Sequence, residues 1–223
     1  MASFRIVEHT IPGQHIREYP HATRSGQDEC LQLAVKQYLP AVVEESGPED
    51  VTIVTSHANG FPKETYEVFF EHLLQTSKTN GFRIRSIIIA DRSNQGASGM
   101  LNEKLQGDDP SWFDHPRDLL HILNTLRPPR PIVGVGHSMG ATEFINLSLI
   151  HPRLFTSLVL IEPIIMLGSL TGPNIAMPST FRRDLWPTRS VAEEAFRKNR
   201  FFDSFHPEVL ESISEVRTSR ASL

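Results

Sequence analysis

The chain is 223 residues long, with 39% hydrophobic and 22% charged residues, which suits one sizeable globular core and excludes a mini-protein or a disordered chain. Lysine and arginine number 22 against 26 aspartates and glutamates; the net charge of −4, with no basic run, argues against a nucleic-acid partner or an anionic membrane surface. One cysteine, Cys30, excludes an internal disulfide framework and a cysteine-based zinc site, and no His/Asp/Glu cluster has ligand spacing, so neither metal nor cofactor is expected.

Residues 4–11 and 29–38, the latter with Leu31, Leu33 and Val35 alternating, read as strands with one buried face. Four later segments, 51–56, 85–90, 131–136 and 157–162, are short, β-branched and nearly continuous in apolarity. Strands of that kind are buried on both faces, which predicts a parallel sheet covered by helices. Helical spacing of three and four runs through 63–79, 114–126 and 141–150. Strand alternating with helix predicts a mostly parallel α/β sheet, with the four apolar segments as adjacent central strands. From residue 164 the texture changes. Gly168, Gly172, Pro173 and Pro178 mark a loop, and two amphipathic helices are expected at about 190–203 and 207–217. The expected organisation is a core over 1–163 and a helical cap over 164–223.

No apolar run approaches the roughly 18 residues of a membrane helix, so no membrane insertion is expected. No charged leader precedes an apolar core, so secretion is not expected either. Nothing in the sequence speaks to the oligomeric state.

Gly136-His137-Ser138-Met139-Gly140 is a G-x-S-x-G between a buried strand and an apolar helix. Glycines there permit a sharp strand-to-helix turn that leaves Ser138 exposed above the sheet. The helix N-terminus favours developing negative charge, and the Met139 N–H points at the same place. A structural turn whose serine merely caps the helix is the plainer alternative. A second donor is expected from the loop His57-Ala58-Asn59-Gly60-Phe61-Pro62, at the N–H of Phe61, so that Ser138 Oγ and the two N–H groups converge on one cavity beneath the cap. The segment Asp91-Arg92-Ser93-Asn94-Gln95-Gly96-Ala97-Ser98 closes the next strand. Its Asp91 and Arg92 are expected to fix the loop rather than to do chemistry.

These motifs resemble the α/β-hydrolase superfamily, in the lineage with His-Gly-Phe-Pro and Asp-x-Arg-Gly-x-Gly-x-Ser loops. A fungal subgroup is similar further, through Ile11-Pro-Gly-Gln-His-Ile-Arg-Glu-Tyr-Pro20 and through a cap like Arg182-Arg-Asp-Leu-Trp-Pro187 onward. That subgroup includes the abhydrolase-domain proteins of host-selective toxin biosynthesis (AK, AF and ACT types) in Alternaria-type plant pathogens. The resemblance covers residues 4 to about 217. It implies a peroxisomal enzyme of secondary metabolism acting on an ester, thioester or epoxide-bearing fatty-acyl compound, such as an epoxy-decatrienoic acid precursor. The tail Ala221-Ser222-Leu223 partly matches the peroxisomal Ser-Lys-Leu address, without its basic middle residue; the cytoplasm is the alternative.

A serine nucleophile needs a base, which this fold supplies as a histidine after the acid in chain order. Only His151 and His206 follow Ser138. His151 ends the nucleophile helix and is expected to face away. His206, between two cap helices, is a weak candidate base and otherwise a helix cap. His137 points the wrong way within the elbow. Glu162, directly after the strand 157–161, holds the position at which some superfamily members carry the acid; as a buried carboxylate it would orient an imidazole. Full-length relatives continue past the cap with further strands and a late histidine, so the sequence reads as truncated. The second reading is therefore an inactive paralogue or binding module. The cap's Trp186, Phe196, Phe201, Phe202 and Phe205 suit a lipophilic acyl chain, or simply pack together.

Overall fold

The structure, a computed structural model, describes residues 3–26, 28–42, 47–166, 187–203 and 205–211. β1 (Phe4–Pro12) pairs antiparallel with β2 (Gln32–Pro40), Phe4 lying opposite Pro40. β2 in turn runs antiparallel to β4 (Ile84–Ala90). β3 (Val51–Ser56) is parallel to β4 on one side and to β5 (Ile132–His137) on the other, and β6 (Ser157–Ile161) is parallel to β5. The resulting order is β1-β2-β4-β3-β5-β6. The four apolar segments are adjacent and parallel, as their composition predicts. β2 begins three residues later than its alternation suggests and extends to Pro40.

Alternation sends neighbours in one strand to opposite faces. Val54, Ile88 and Ala90 pack with Leu119, Ile122 and Leu123 of α3 (Asp114–Leu126) and with Phe144 and Leu147 of α4 (Met139–Ile150). On the other face Tyr38 meets Phe70 of α1 (Glu67–Thr79) edge to face, with ring centroids 5.2 Å apart. Each fully buried leucine, isoleucine or phenylalanine here contributes about 1.5–3 kcal/mol. The stretch 63–79 splits into a 3-10 turn (Lys63–Tyr66) and α1. A short α2 (Gly96–Leu101) follows β4 within the segment read as a loop. Among the described residues β6 is an edge strand, as β1 is at the other side of the sheet, and Val159 and Ile161 on it are 48% and 42% exposed.

The chain divides into two compact units, Met1–Lys63 with Phe70–Ile165, and Glu64–Phe69 with Met166–Leu223. Within the second, α5 (Arg189–Lys198) starts at Thr188, whose hydroxyl accepts the Val191 N–H at 3.3 Å. The helix expected over 190–203 stops early, because Asn199 is extended and opens a 3-10 turn (Arg200–Phe202) instead. Phe196, Phe201, Phe202 and Phe205 pack on one another at centroid distances of 5.1–5.5 Å. Residues 207–211 are helical. The remainder of the helix expected over 207–217, the loop at 168–178, residues 182–186 of the Arg182–Pro187 motif, Trp186 included, and Ala221-Ser222-Leu223 lie outside the described residues.

Candidate active site

Ser138 is the single residue between β5 and α4, at φ 55° and ψ −115°. A serine in that region costs about 1–3 kcal/mol and persists only when its surroundings enforce it. Three contacts do so here. The Ser138 N–H donates to the Ile161 carbonyl at 2.8 Å, and the Ser138 carbonyl accepts the N–H groups of Ala141 and Thr142 at 3.1 and 3.3 Å. The flanking glycines are sterically required: a Cβ on Gly136 would sit 2.5 Å from Ala141 Cα, and one on Gly140 would fall on the Ser56 carbonyl oxygen. Strand and helix are thus pressed together until only glycine fits, and Ser138 takes the bend.

Met139 N–H, in the first turn of α4, has no hydrogen-bond partner among the described residues. It is therefore free to receive developing negative charge, with the helix dipole behind it. Phe61 also reaches this region, its ring 6.4 Å from the His137 ring. Its N–H donates to the Ala58 carbonyl at 3.3 Å, closing a turn. Glu162 follows Ile161 and so emerges beside Ser138, at φ 49°. It is exposed rather than buried, because β6 is an edge strand.

The histidines are dispersed. Among the described residues no imidazole lies within hydrogen-bond distance of Ser138 Oγ. His151 is exposed at the far end of α4, about 18 Å from the elbow at 1.5 Å per residue. His206 is exposed in the second unit. Partial burial lowers the His137 pKa, with Glu162 pulling it the other way.

Below the elbow lies a network of charge that the sequence does not announce. Asp91 accepts from Lys63 Nζ at 2.5 Å, Lys63 N–H at 3.1 Å and Ala97 N–H at 2.9 Å, all in the interior. Arg92 donates to Glu143 and to the His57 carbonyl. Arg92 Nη1 also lies 2.9 Å from His57 Nδ1. The Ala58 carbonyl oxygen lies equally close to Nδ1, at 2.9 Å, and Nε2 faces Asp91 at 3.8 Å. Burial foremost, then the Arg92 charge, holds His57 neutral well below the usual histidine range. Asp91 and Arg92 thus brace the loops, as the sequence suggests. Lys63, His115 and Glu143 carried no such signal, since no local pattern marks a partner dozens of residues away.

The profile of the alpha/beta hydrolase family matches residues 53–222. The chain belongs to that family. It is 44% identical over 208 residues to the type I acyl-CoA thioesterase mpaH of Penicillium roqueforti, a match covering 88% of this chain and 46% of the relative. It is 38% identical over 84 residues to the abhydrolase domain-containing protein AFT2-1 of Alternaria alternata, covering 37% of this chain and 31% of the relative. Among solved structures, the peroxisomal alpha-beta-hydrolase Lpx1 of Saccharomyces cerevisiae superposes with a TM-score of 0.82 at 24% identity, over 97% of this chain and 63% of that one. The chain spans about half the length of the thioesterases that it matches.

Within the hydrolase fold, β5, β6 and α4 bring Ser138, Met139 and Glu162 to one edge of the sheet. Among the described residues no three or more His, Cys, Asp or Glu side chains gather as a metal site, and no helix is long and apolar enough to cross a membrane.

Proposed function

We propose that this chain carries the nucleophile half of a serine-type acyl hydrolase of fungal secondary metabolism, acting on the thioester of a lipophilic acyl compound. The observation that carries the reading is the backbone of Ser138, bent between two glycines that admit no side chain. In this reading Ser138 Oγ attacks the acyl carbonyl, and the Met139 N–H receives the oxyanion. A base takes the serine proton and returns it to the leaving thiolate, and water then releases the acid from the acyl-enzyme. Phe61 supplies the second N–H only if it leaves the Ala58 carbonyl. Glu162 takes the role of the acid that orients the base.

The thioester, rather than an epoxide, is favoured by 44% identity to an acyl-CoA thioesterase and by a serine nucleophile. A peroxisomal setting is supported by the likeness to Lpx1. The core over 1–163 would hold the chemistry and the region 164–223 would cap it. One observation supports a second reading, an inactive paralogue or binding module without a triad histidine: no imidazole reaches Ser138 Oγ among the described residues. His206 is the weak candidate base if the chain is active.

A fluorophosphonate probe separates the two. Labelling that disappears in Ser138→Ala, together with thiol release from medium-chain acyl-CoA, is the result expected of the hydrolase. An unlabelled, folded protein would leave the binding reading in place.

A further inference from the structure

A cavity of about 100 Å³ opens beside the elbow, on the side of Met139. Its mouth is exposed at Asn94 and Trp112, and its floor is formed by buried Arg92, Asp118 and His115. The charges in this wall are already satisfied. Arg92 is held by Glu143, and Asp118 accepts from Arg17 Nη1 and the Gln14 N–H, both at 2.8 Å. Asp114 accepts the Glu18 N–H at 2.9 Å. Among the side chains that line the cavity, His115 is the one with buried polar atoms left unpartnered; Nε and Nη2 of Arg17, the partner of Asp118, are also without one. His115 is only 3% exposed, and among the described residues neither Nδ1 nor Nε2 has a partner.

Buried polar groups are almost always hydrogen-bonded, so two free nitrogens on one buried ring call for an explanation. We propose that this cavity is a ligand subsite for a small neutral hydroxyl-bearing group, received at its floor by the His115 ring. A neutral imidazole offers one N–H and one lone pair, and a hydroxyl answers either. An anion would face Asp114 and Asp118, and a cation would face Arg92. Burial foremost, then Arg92, His57 and Arg17, keeps His115 uncharged, which agrees with a neutral guest. Several water-sized volumes fit the cavity, so it has room for a three- or four-carbon fragment. The subsite needs no chemistry at Ser138, although Met139 in its wall places it next to that residue.

The test is NMR of the His115 ring in the purified protein during titration with n-butanol, butyrate and butylammonium, which share a carbon skeleton. Butanol is expected to shift the ring signals saturably at about millimolar concentration. The two ions are expected to be weaker by about tenfold or more, because a charge is costly to bury without a partner. His115→Gln, which keeps a donor and an acceptor, should retain the butanol response at other cavity signals, and His115→Phe should lose it. The wild-type selectivity stands as a test even where His115→Phe fails to fold. Equal shifts with all three probes, or a ring served by water only and moved by none, would overturn the proposal.

Discussion

Arg92 grips Glu143 with two parallel bonds, Nε to Oε1 at 2.6 Å and Nη2 to Oε2 at 2.8 Å. Ser56 Oγ donates to the same carboxylate at 2.6 Å. Ser56 ends β3, Arg92 follows β4, and Glu143 sits in the second turn of α4. One carboxylate therefore fastens two strand ends to the helix that begins next to Ser138. Burial pushes the Glu143 pKa up, and the Arg92 charge opposes that push.

Removing one side of this clasp strands a charge in the interior. Glu143→Leu and Arg92→Met are each expected to cost about 3–5 kcal/mol. The double variant should cost less than the two together, because neither charge is then left alone. Urea unfolding of the three proteins reads this directly; strictly additive losses would mean that the pair does not act as a unit.

Gly140→Ala places a methyl group against the Ser56 carbonyl. Overpacking of that kind costs about 1–3 kcal/mol. Thermal denaturation should show a lowered midpoint, with fluorophosphonate labelling of Ser138 reduced in the folded fraction. A stable, fully labelled variant would contradict the steric account of the elbow.

Acid should weaken the fold through His57 and His115. Both are buried and have depressed pKa values, so below the unfolded value of about 6.5 the unfolded chain binds protons that the folded one refuses. Stability is then present above that pH and falls as pH drops, by at most about 1.4 kcal/mol per pH unit for each ring. Glu143 and Asp118, whose pKa values are raised mainly by burial, act in the opposite sense: their contribution is present at low pH and lost as pH rises through the folded value. His115→Gln isolates one histidine. Its unfolding free energy, followed over roughly pH 5 to 7, should fall less steeply than that of the wild type by about one proton's worth.

Turnover of an activated ester by the 223-residue chain is expected to be slow, since a general base contributes about 10²- to 10⁴-fold. Ser138→Ala should remove what remains, and His206→Ala should leave it unchanged. Robust activity abolished by both substitutions would instead make His206 the base.

Much of this fold is legible in the sequence because its central strands are covered on both faces. Val51–Val54 and Ile87–Ala90 are runs of apolar or β-branched residues, nearly all buried, and Arg85 interrupts the pattern only near the start of β4. The boundary of β2 was harder to read for a physical reason. Its entry is held by side chains, with the Gln32 N–H on Asn102 Oδ1 and the Ala34 N–H on Ser98 Oγ, at 2.7 and 2.8 Å. α2 starts at Gly96, inside the segment Asp91–Ser98 that reads as a loop. The elbow was legible because steric necessity writes glycine at fixed offsets from Ser138. The exposure of Glu162 was not, since it depends on which strand lies outermost.

The Arg17–Asp118 pair, joined across 101 positions of sequence, has a consequence for how this lineage can vary. Both side chains are about 1% exposed, so changing either alone leaves a buried charge without its counterpart. Descendants that replace one are expected to replace the other within few generations, or to lose the protein. A comparison of related sequences should therefore find the two positions changing in step, while exposed positions such as Glu103 and Lys104 drift independently.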